Sequence, residues 1–264
     1  MPTDSLLDVF GALHSRIELF GALEHGPLEK PELEAALGCS RSTVDRAVRD
    51  LESAGLLTRT EGGYELTLYG RLLVDRYLAC LDDAAEIVPA GPLLSSLPPE
   101  APMAATFLDG ASVVRSTPPV PHQPVSEFER LLGRADRLRG LSCCISQSTT
   151  PRLLADRVLE GSLAADLVVC EDLASYALEP SRRACTRALL ETEGYRLHRV
   201  ESLPYGLVLL EIDGDHRVVL FVYGDENDVL GTIHNDTPEA VAWAESVYER
   251  YRADAETLSA DRLE

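Results

Sequence analysis

At 264 residues the chain is long for one ordinary domain and suits a small domain followed by a larger one, each able to bury a core. Its 24 Lys and Arg against 44 Asp and Glu give a net charge of -20, which excludes a partner held by bulk positive charge alone. No apolar run approaches the ~20 residues of a bilayer-spanning helix, and the opening MPTDSLLDVF lacks the basic start of an export signal, so a cytoplasmic protein without membrane contact is expected.

The charge has a particular make-up. Lys30 is the only lysine, nearly all positive charge is arginine, and the acids are spread along the chain rather than gathered in a tail. Such a surface resembles that of cytoplasmic proteins from salt-accumulating halophiles, where a Debye length of about 3 Å at 1 M salt screens carboxylate repulsion; the competing reading is an ordinary acidic protein. The six cysteines (Cys39, Cys80, Cys143, Cys144, Cys170 and Cys185) include no C-x-x-C pair, and adjacent Cys143 and Cys144 would face opposite sides of a strand. Free thiols and no metal site are expected.

The first domain is expected over residues 1–88. Leu6, Phe10, Leu13, Ile17 and Phe20 recur at helical spacing as a first amphipathic helix, and Leu7, Val9, Leu19 and Leu23 widen that surface beyond the needs of a small core, which suits a partner subunit or, equally, a broad stripe within one domain. A second helix opens at Pro31, carries Leu33, Ala36 and Leu37, and stops at Gly38. Ser40 then caps a third, in which Val44, Ala47, Val48 and Leu51 form one stripe for burial. Ser42, Arg46, Arg49 and Ser53 lie opposite, as donors suited to phosphate oxygens and base edges. LLTRT and YELTL, separated by Glu61, Gly62 and Gly63, read as a hairpin carrying Arg59. Thr67 caps a closing helix with Leu68, Leu72, Leu73, Tyr77, Leu78 and Leu81, so the order is three helices, a β-ribbon and a fourth helix.

The run LEKPELEAALGCSRSTVDRAVRDLESAGLLTRTEGGYELTLYGR resembles the winged helix-turn-helix of archaeal and bacterial transcription regulators of the ArsR-like superfamily. The resemblance implies a double-stranded DNA operator, with Ser40, Arg41, Ser42, Thr43 and Arg46 at the groove-facing start of the recognition helix and Arg59 on the wing near phosphate; Arg49 joins them on the helix pattern. The plainer reading is that Asp45, four residues from both Arg41 and Arg49, and Asp50, four from Arg46, tie these arginines into surface ion pairs worth roughly a few tenths of a kcal/mol. A winged helix that only docks a protein is the alternative function.

Between Pro89 and Pro124 lie nine of the sixteen prolines, which reads as a Pro-rich linker over 89–124, with FLDGASVV as a strand turning at Asp109 and Gly110. From there an α/β domain is expected over 125–258. Phe128, Leu131, Leu132, Ala135 and Leu138 mark a helix, LSCCIS a strand, TPRLLADRVLEG a helix, DLVVC a strand, PSRRACTRALLETEG a helix and YRLHRV a strand. That alternation predicts three parallel strands with right-handed crossovers. GLVLLEI, RVVLFVY and VLGTIH predict an antiparallel meander, and Thr237 and Pro238 start a last helix with Ala240, Trp243, Val247, Tyr248 and Tyr251 inward.

On FLDGASVV, RADRLRGLS, YGLVLLEIDG, LGTIHND and AVAWAESVYERYR, this half resembles the effector domain that haloarchaeal and methanogen winged-helix regulators carry after the DNA-binding module, first named for a methanogenesis and filamentation regulator. The resemblance implies sensing of a small molecule or assembly. Ligands of parallel α/β sheets collect beyond the carboxyl ends of strands. That places Ser146, Gln147, Ser148, Thr149, Cys170 and Glu171 as candidates, with Tyr205 and His234 outlying; the SQSTTP segment, entering a helix, would hold a carboxylate or phosphate unless its hydroxyls merely cap that helix. No cofactor is indicated. Effector domains of this kind resemble phospholipase-D-like folds, whose chemistry needs a His and a Lys two residues apart, but His216 is followed by Arg217 and Val218. With no GxSxG, P-loop or HExxH, the one enzymatic alternative is a Cys170 nucleophile assisted by His198 or His234, and no enzyme is expected. The whole reads as a homodimeric transcription regulator.

Overall fold

In the computed structural model, which describes residues 3–144 and 149–262, the chain divides between Ala84 and Ala85 into two units. The first begins with α1 (Thr3–Ser15) and α2 (Ile17–Ala22). One continuous helix was expected here; Arg16, at φ -131°, leaves helical geometry and breaks it. The break lets Leu13 and, beyond it, Leu19, Phe20 and Leu23 enter one core, while Leu6 and Leu7 stay exposed.

α3 (Lys30–Leu37) starts in a capping box, in which the Glu29 amide donates to Glu32 Oε2 at 2.7 Å, and ends at Gly38 in left-handed conformation. α4 (Arg41–Ser53) follows after Ser40, whose hydroxyl accepts from the Thr43 amide. The stripe of Val44, Ala47, Val48 and Leu51 is buried throughout. β1 (Leu57–Thr60) and β2 (Gly63–Leu66) pair antiparallel. Gly63, at φ 121°, is demanded by the turn and by space, since a Cβ there would fall 2.3 Å from the Leu28 carbonyl carbon. Leu28 and Tyr64 exchange two backbone hydrogen bonds at this point, which stitches the ribbon to the chain entering α3. α5 (Leu68–Ile87) closes the unit, with the Thr67 hydroxyl accepting from the Gly70 amide at 2.9 Å.

The second unit comprises α6 (Gly91–Leu94), β3 (Ser112–Arg115), α7 (Gln123–Leu132), β4 (Arg137–Ser142), α8 (Thr150–Leu159), β5 (Ala164–Cys170), α9 (Glu171–Ala177), α10 (Arg183–Leu190), β6 (Tyr195–Val200), β7 (Gly206–Ile212), β8 (Asp215–Tyr223), β9 (Val229–Asn235), α11 (Pro238–Asp254) and β10 (Glu256–Thr257). Its sheet is mixed, in the order β10-β6-β5-β4-β7-β8-β9-β3. β4, β5 and β6 run parallel and β7 to β9 form an antiparallel meander that starts beside β4. Each face carries its own core. Phe107, Leu141, Tyr205, Leu220 and Tyr248 pack with α11 on one side; Phe128, Leu138, Val158, Leu189 and Leu197 pack under α7, α8 and α10 on the other.

Two expectations need correction. Residues 89–124 are no free joint: Ala90, Leu93, Phe107 and Leu108 are buried, Phe107 stacks on Trp243 at 4.5 Å between ring centres, and β3 joins the sheet edge beside β9. The prolines interrupt regular elements without preventing apolar residues between them from packing. The sheet also gains a strand that was not expected, the two-residue β10 beside β6, while β3 at the other edge takes up the end of the FLDGASVV stretch. No helix among the described residues is long and apolar enough to cross a membrane.

Candidate nucleic-acid interface and ligand site

The buried stripe of α4 sets the direction of everything else on that helix. With Val44, Ala47, Val48 and Leu51 inward, Ser42, Arg46, Arg49 and Ser53 are turned to solvent, and Ser40, Arg41 and Thr43 are exposed at the amino end. Ser40 Oγ lies 2.9 Å from Ser42 Oγ and 3.0 Å from Thr43 Oγ1, so the three hydroxyls cluster where the helix presents its free N–H groups.

Two of the three acids on α4, Asp45 and Asp50, are paired from elsewhere. Asp45 Oδ1 is 2.6 Å from Lys30 Nζ on α3, and Asp50 Oδ2 is 3.5 Å from Arg16. The hydrogen bond with Lys30 holds the Asp45 carboxyl below its ordinary pKa and lifts Lys30 above its own. The i, i+4 pairs that the spacing offers do not form. Arg41, Arg46 and Arg49 have no ion-pair partner within 4.0 Å among the described residues. On the ribbon, exposed Arg59 sits over the Tyr64 ring at 5.8 Å, with Lys30 also on that ring at 5.6 Å. Sequence reasoning missed Lys30 and Arg16 as the partners of Asp45 and Asp50, which are 15 and 34 residues away in the chain.

The ligand candidates of the second unit do not converge. Ser146, Gln147 and Ser148 lie outside the described residues. Thr149 Oγ1 donates to Glu129 Oε1 at 2.8 Å and Thr150 Oγ1 to the same oxygen at 2.9 Å, so the hydroxyls expected to hold an anion face a carboxylate instead. Glu171 is paired with Arg199 at 3.0 Å. Tyr205 is fully buried on the α11 side, its hydroxyl donating to the Pro102 carbonyl. His234 is half-buried on β9, with Nε2 2.8 Å from Thr232 Oγ1, and burial lowers its pKa.

The thiols are free, and among the described residues no group of three or more His, Cys, Asp or Glu is placed to hold a metal ion. Cys170 Sγ points to the Cys143 carbonyl oxygen at 3.3 Å. Burial, then the neighbouring Cys170 and Cys144, push the Cys143 thiol up to about 12. His198 is fully buried and engaged at both ring nitrogens, 3.0 Å from Thr257 Oγ1 and 2.8 Å from Asp166 Oδ1. Burial alone would raise Asp166, but the hydrogen bond with His198 and the charge of Arg252 outweigh it and hold the carboxyl low. No Cys170–His198 hydrogen bond is formed.

A cavity of about 370 Å³ lies elsewhere, against the sheet face opposite α11. Leu138, Val169, Leu197, Val208 and Phe221 line its buried floor; residues of α8, α9 and α10 wall it, and exposed Ser181, Arg182 and Cys185 stand at its rim. Its lining is gathered from positions between Val125 and Val229, which is why no local motif announces it.

Comparison with known proteins follows the same division of the chain. Residues 121–254 match the family described as "Methanogenesis regulatory protein FilR1, middle domain", and residues 5–86 match the "HVO_A0261 N-terminal domain". The methanogenesis regulatory protein FilR1 of Methanothrix harundinacea (strain 6Ac) is 24% identical over 253 residues, which are 92% of this chain and 56% of that protein. The chain thus spans little more than half the length of that relative. Among solved structures, TrmBL2, an archaeal chromatin protein, is 14% identical at a TM-score of 0.43, covering 94% of this chain and 98% of its own. NucT from Helicobacter pylori is 11% identical at a TM-score of 0.43, covering 56% of this chain and 98% of its own.

Proposed function

The chain belongs to the family defined by the middle domain of the methanogenesis regulatory protein FilR1, and from that premise we propose that it is a homodimeric, DNA-binding transcription regulator whose second unit senses a small molecule. The observation that carries the reading is the release of Arg41, Arg46 and Arg49, because Lys30 and Arg16 take up the acids beside them. An arginine free of intramolecular partners can donate two parallel hydrogen bonds to the N7 and O6 of guanine. The hydroxyls of Ser40, Ser42 and Thr43 at the helix start suit phosphate, and Arg59 on the ribbon suits the backbone alongside the groove.

At a net charge of -20 the whole surface repels DNA, so affinity must come from this local arrangement. The same reading includes a cytoplasm rich in salt, in which that repulsion is screened within a few ångströms. Exposed Leu6 and Leu7 on α1 and Leu68, Tyr69 and Leu72 on α5 supply apolar surface for a second copy. A two-fold dimer places its two recognition helices in successive major grooves, and a ligand in the second unit would act by changing their spacing.

The experiment is selection of sheared genomic DNA on the purified chain in concentrated KCl, followed by sequencing. The expected outcome is enrichment of an inverted repeat with half-site centres about 10 base pairs, or a multiple of that, apart. Retained DNA indistinguishable from the input would end the DNA-binding reading.

A further inference from the structure

The cavity of the second unit narrows the chemistry of an effector. Cores of folded domains leave few voids larger than a water molecule, yet here about 370 Å³ stays open against the middle of a sheet. Leu167 shows the effect on packing. It sits on β5, between Gly140 of β4 and Leu197 of β6, and is nevertheless only half-buried, because its side of the sheet meets the cavity rather than a helix.

The floor is apolar and the rim carries one sign of charge. Arg182 stacks over the Tyr176 ring, with its guanidinium carbon 4.0 Å from the ring centre, and both residues line the cavity. Arg182 makes no ion pair among the described residues, and the neighbouring Ser181 hydroxyl is likewise without a hydrogen-bond partner among them. A planar cation clamped on an aromatic ring is held in place yet keeps its N–H edge free for a carboxylate. A largely apolar lining whose one charged side chain is Arg182 offers no ligand set for a metal ion and little compensation for a small hydrated anion. On the scale of a 150 Å³ apolar cavity that takes benzene, the space holds on the order of 15 non-hydrogen atoms. A phosphate ester would need more positive charge than one guanidinium, and the Thr149 and Thr150 hydroxyls already face Glu129.

We infer that this cavity is the effector site and that it takes a small amphipathic organic acid, with an aromatic or branched aliphatic body on the sheet and one carboxylate on Arg182. This rests on the proposal that the second unit senses a small molecule. The experiment reads binding alone, by calorimetry on the full chain in concentrated KCl, with 2-naphthoate as probe and 2-naphthylmethanol as its neutral counterpart of similar shape. Saturable uptake of 2-naphthoate is expected, about tenfold tighter than the alcohol. Arg182→Gln, on the surface, erases that preference, and Ala155→Phe, which fills the cavity from α8, abolishes binding of both while circular dichroism stays that of the parent. Bound 2-naphthoate slows maleimide labelling of Cys185 at the rim and leaves exposed Cys80 on α5 unaffected.

Absence of saturable binding of either probe overturns the inference. So does equal affinity for the two probes, or a charge preference that survives Arg182→Gln. Each of these results leaves the DNA selection untouched, just as a chain that takes 2-naphthoate but retains no specific DNA would keep the cavity assignment and lose the regulator.

Discussion

Asn235 at the end of β9 holds together parts of the second unit that are far apart in the chain, and removing its amide has a calculable cost. Its Nδ2 donates to the Phe107 carbonyl at 2.8 Å and to the Asp109 carbonyl at 2.8 Å, and its Oδ1 accepts from the Thr237 amide at 2.8 Å. The residue is 5% exposed, so in Asn235→Ala water has little room to replace what is lost. Three bonds at a net value near 1 kcal/mol each, with two carbonyls and an amide left underpaired, give about 2–4 kcal/mol. For a unit of this size that corresponds to a fall in melting temperature of roughly 5–15 °C. The assay is urea and thermal unfolding followed by tryptophan fluorescence, since Trp243, which stacks on Phe107, is the single tryptophan. Asn235→Asp keeps the acceptor for Thr237 but turns both donors into charge facing two carbonyl oxygens. It should cost at least as much as alanine at neutral pH and regain part of the loss in acid, where protonation restores one donor. A cost below about 0.5 kcal/mol for Asn235→Ala, the size of an ordinary surface change, would refute the reasoning.

Other outcomes follow from the same geometry. Burial keeps His234 below its ordinary value of 6.5, with Glu127 opposing and Arg130 adding to the effect; the unfolded chain therefore takes up a proton first, and stability should fall as pH drops from 6.5 through the folded-state value. His234→Gln should flatten that slope in denaturation midpoints measured between pH 7 and 5, and an unchanged slope would count against it. The Cys143 thiol, pushed up to about 12, should be alkylated long after exposed Cys80 and Cys185 at pH 9, as read by mass spectrometry of the native chain; equal rates would contradict its burial. The melting temperature should rise between about 0.1 M and 3 M KCl as screening relieves carboxylate repulsion, and a flat curve would remove the argument from composition.

The α4 helix was legible because one local pattern, the Val44–Leu51 stripe, determines which side chains remain outside. The second and third parallel strands and the meander were legible from their own apolar runs, but the first strand was misplaced: α7 ends at Leu132 and β4 runs over Arg137–Ser142, so Leu138, expected on the helix, lies in the strand. What could not be read depends on residues distant in the chain. Asp45 chooses Lys30 over Arg41 and Arg49, Phe107 is drawn into the core by Trp243 and Asn235, and the Thr149 hydroxyl faces Glu129, twenty residues earlier, instead of an anion. The two-residue β10 is too short to show any alternation. The break at Arg16 has no proline or glycine to mark it; only the shared core of α1 and α2 reveals why the helix turns there.

The most direct measurement is the affinity of the Arg41→Ala, Arg46→Ala, Arg49→Ala triple variant for a DNA fragment retained by the parent, set against Arg152→Ala, which removes one positive charge from an exposed position on α8. The three arginines are exposed and form no ion pair among the described residues, the charges of Arg41 and Arg49 only adding to the hold of Lys30 on the Asp45 carboxylate, so helix content and melting temperature should stay close to the parent. Specific binding should weaken at least about a hundredfold in the triple variant, as expected when several base contacts of ~1–3 kcal/mol are lost together, and hardly change in Arg152→Ala. Binding within about threefold of the parent by a folded triple variant would mean that α4 does not enter the groove.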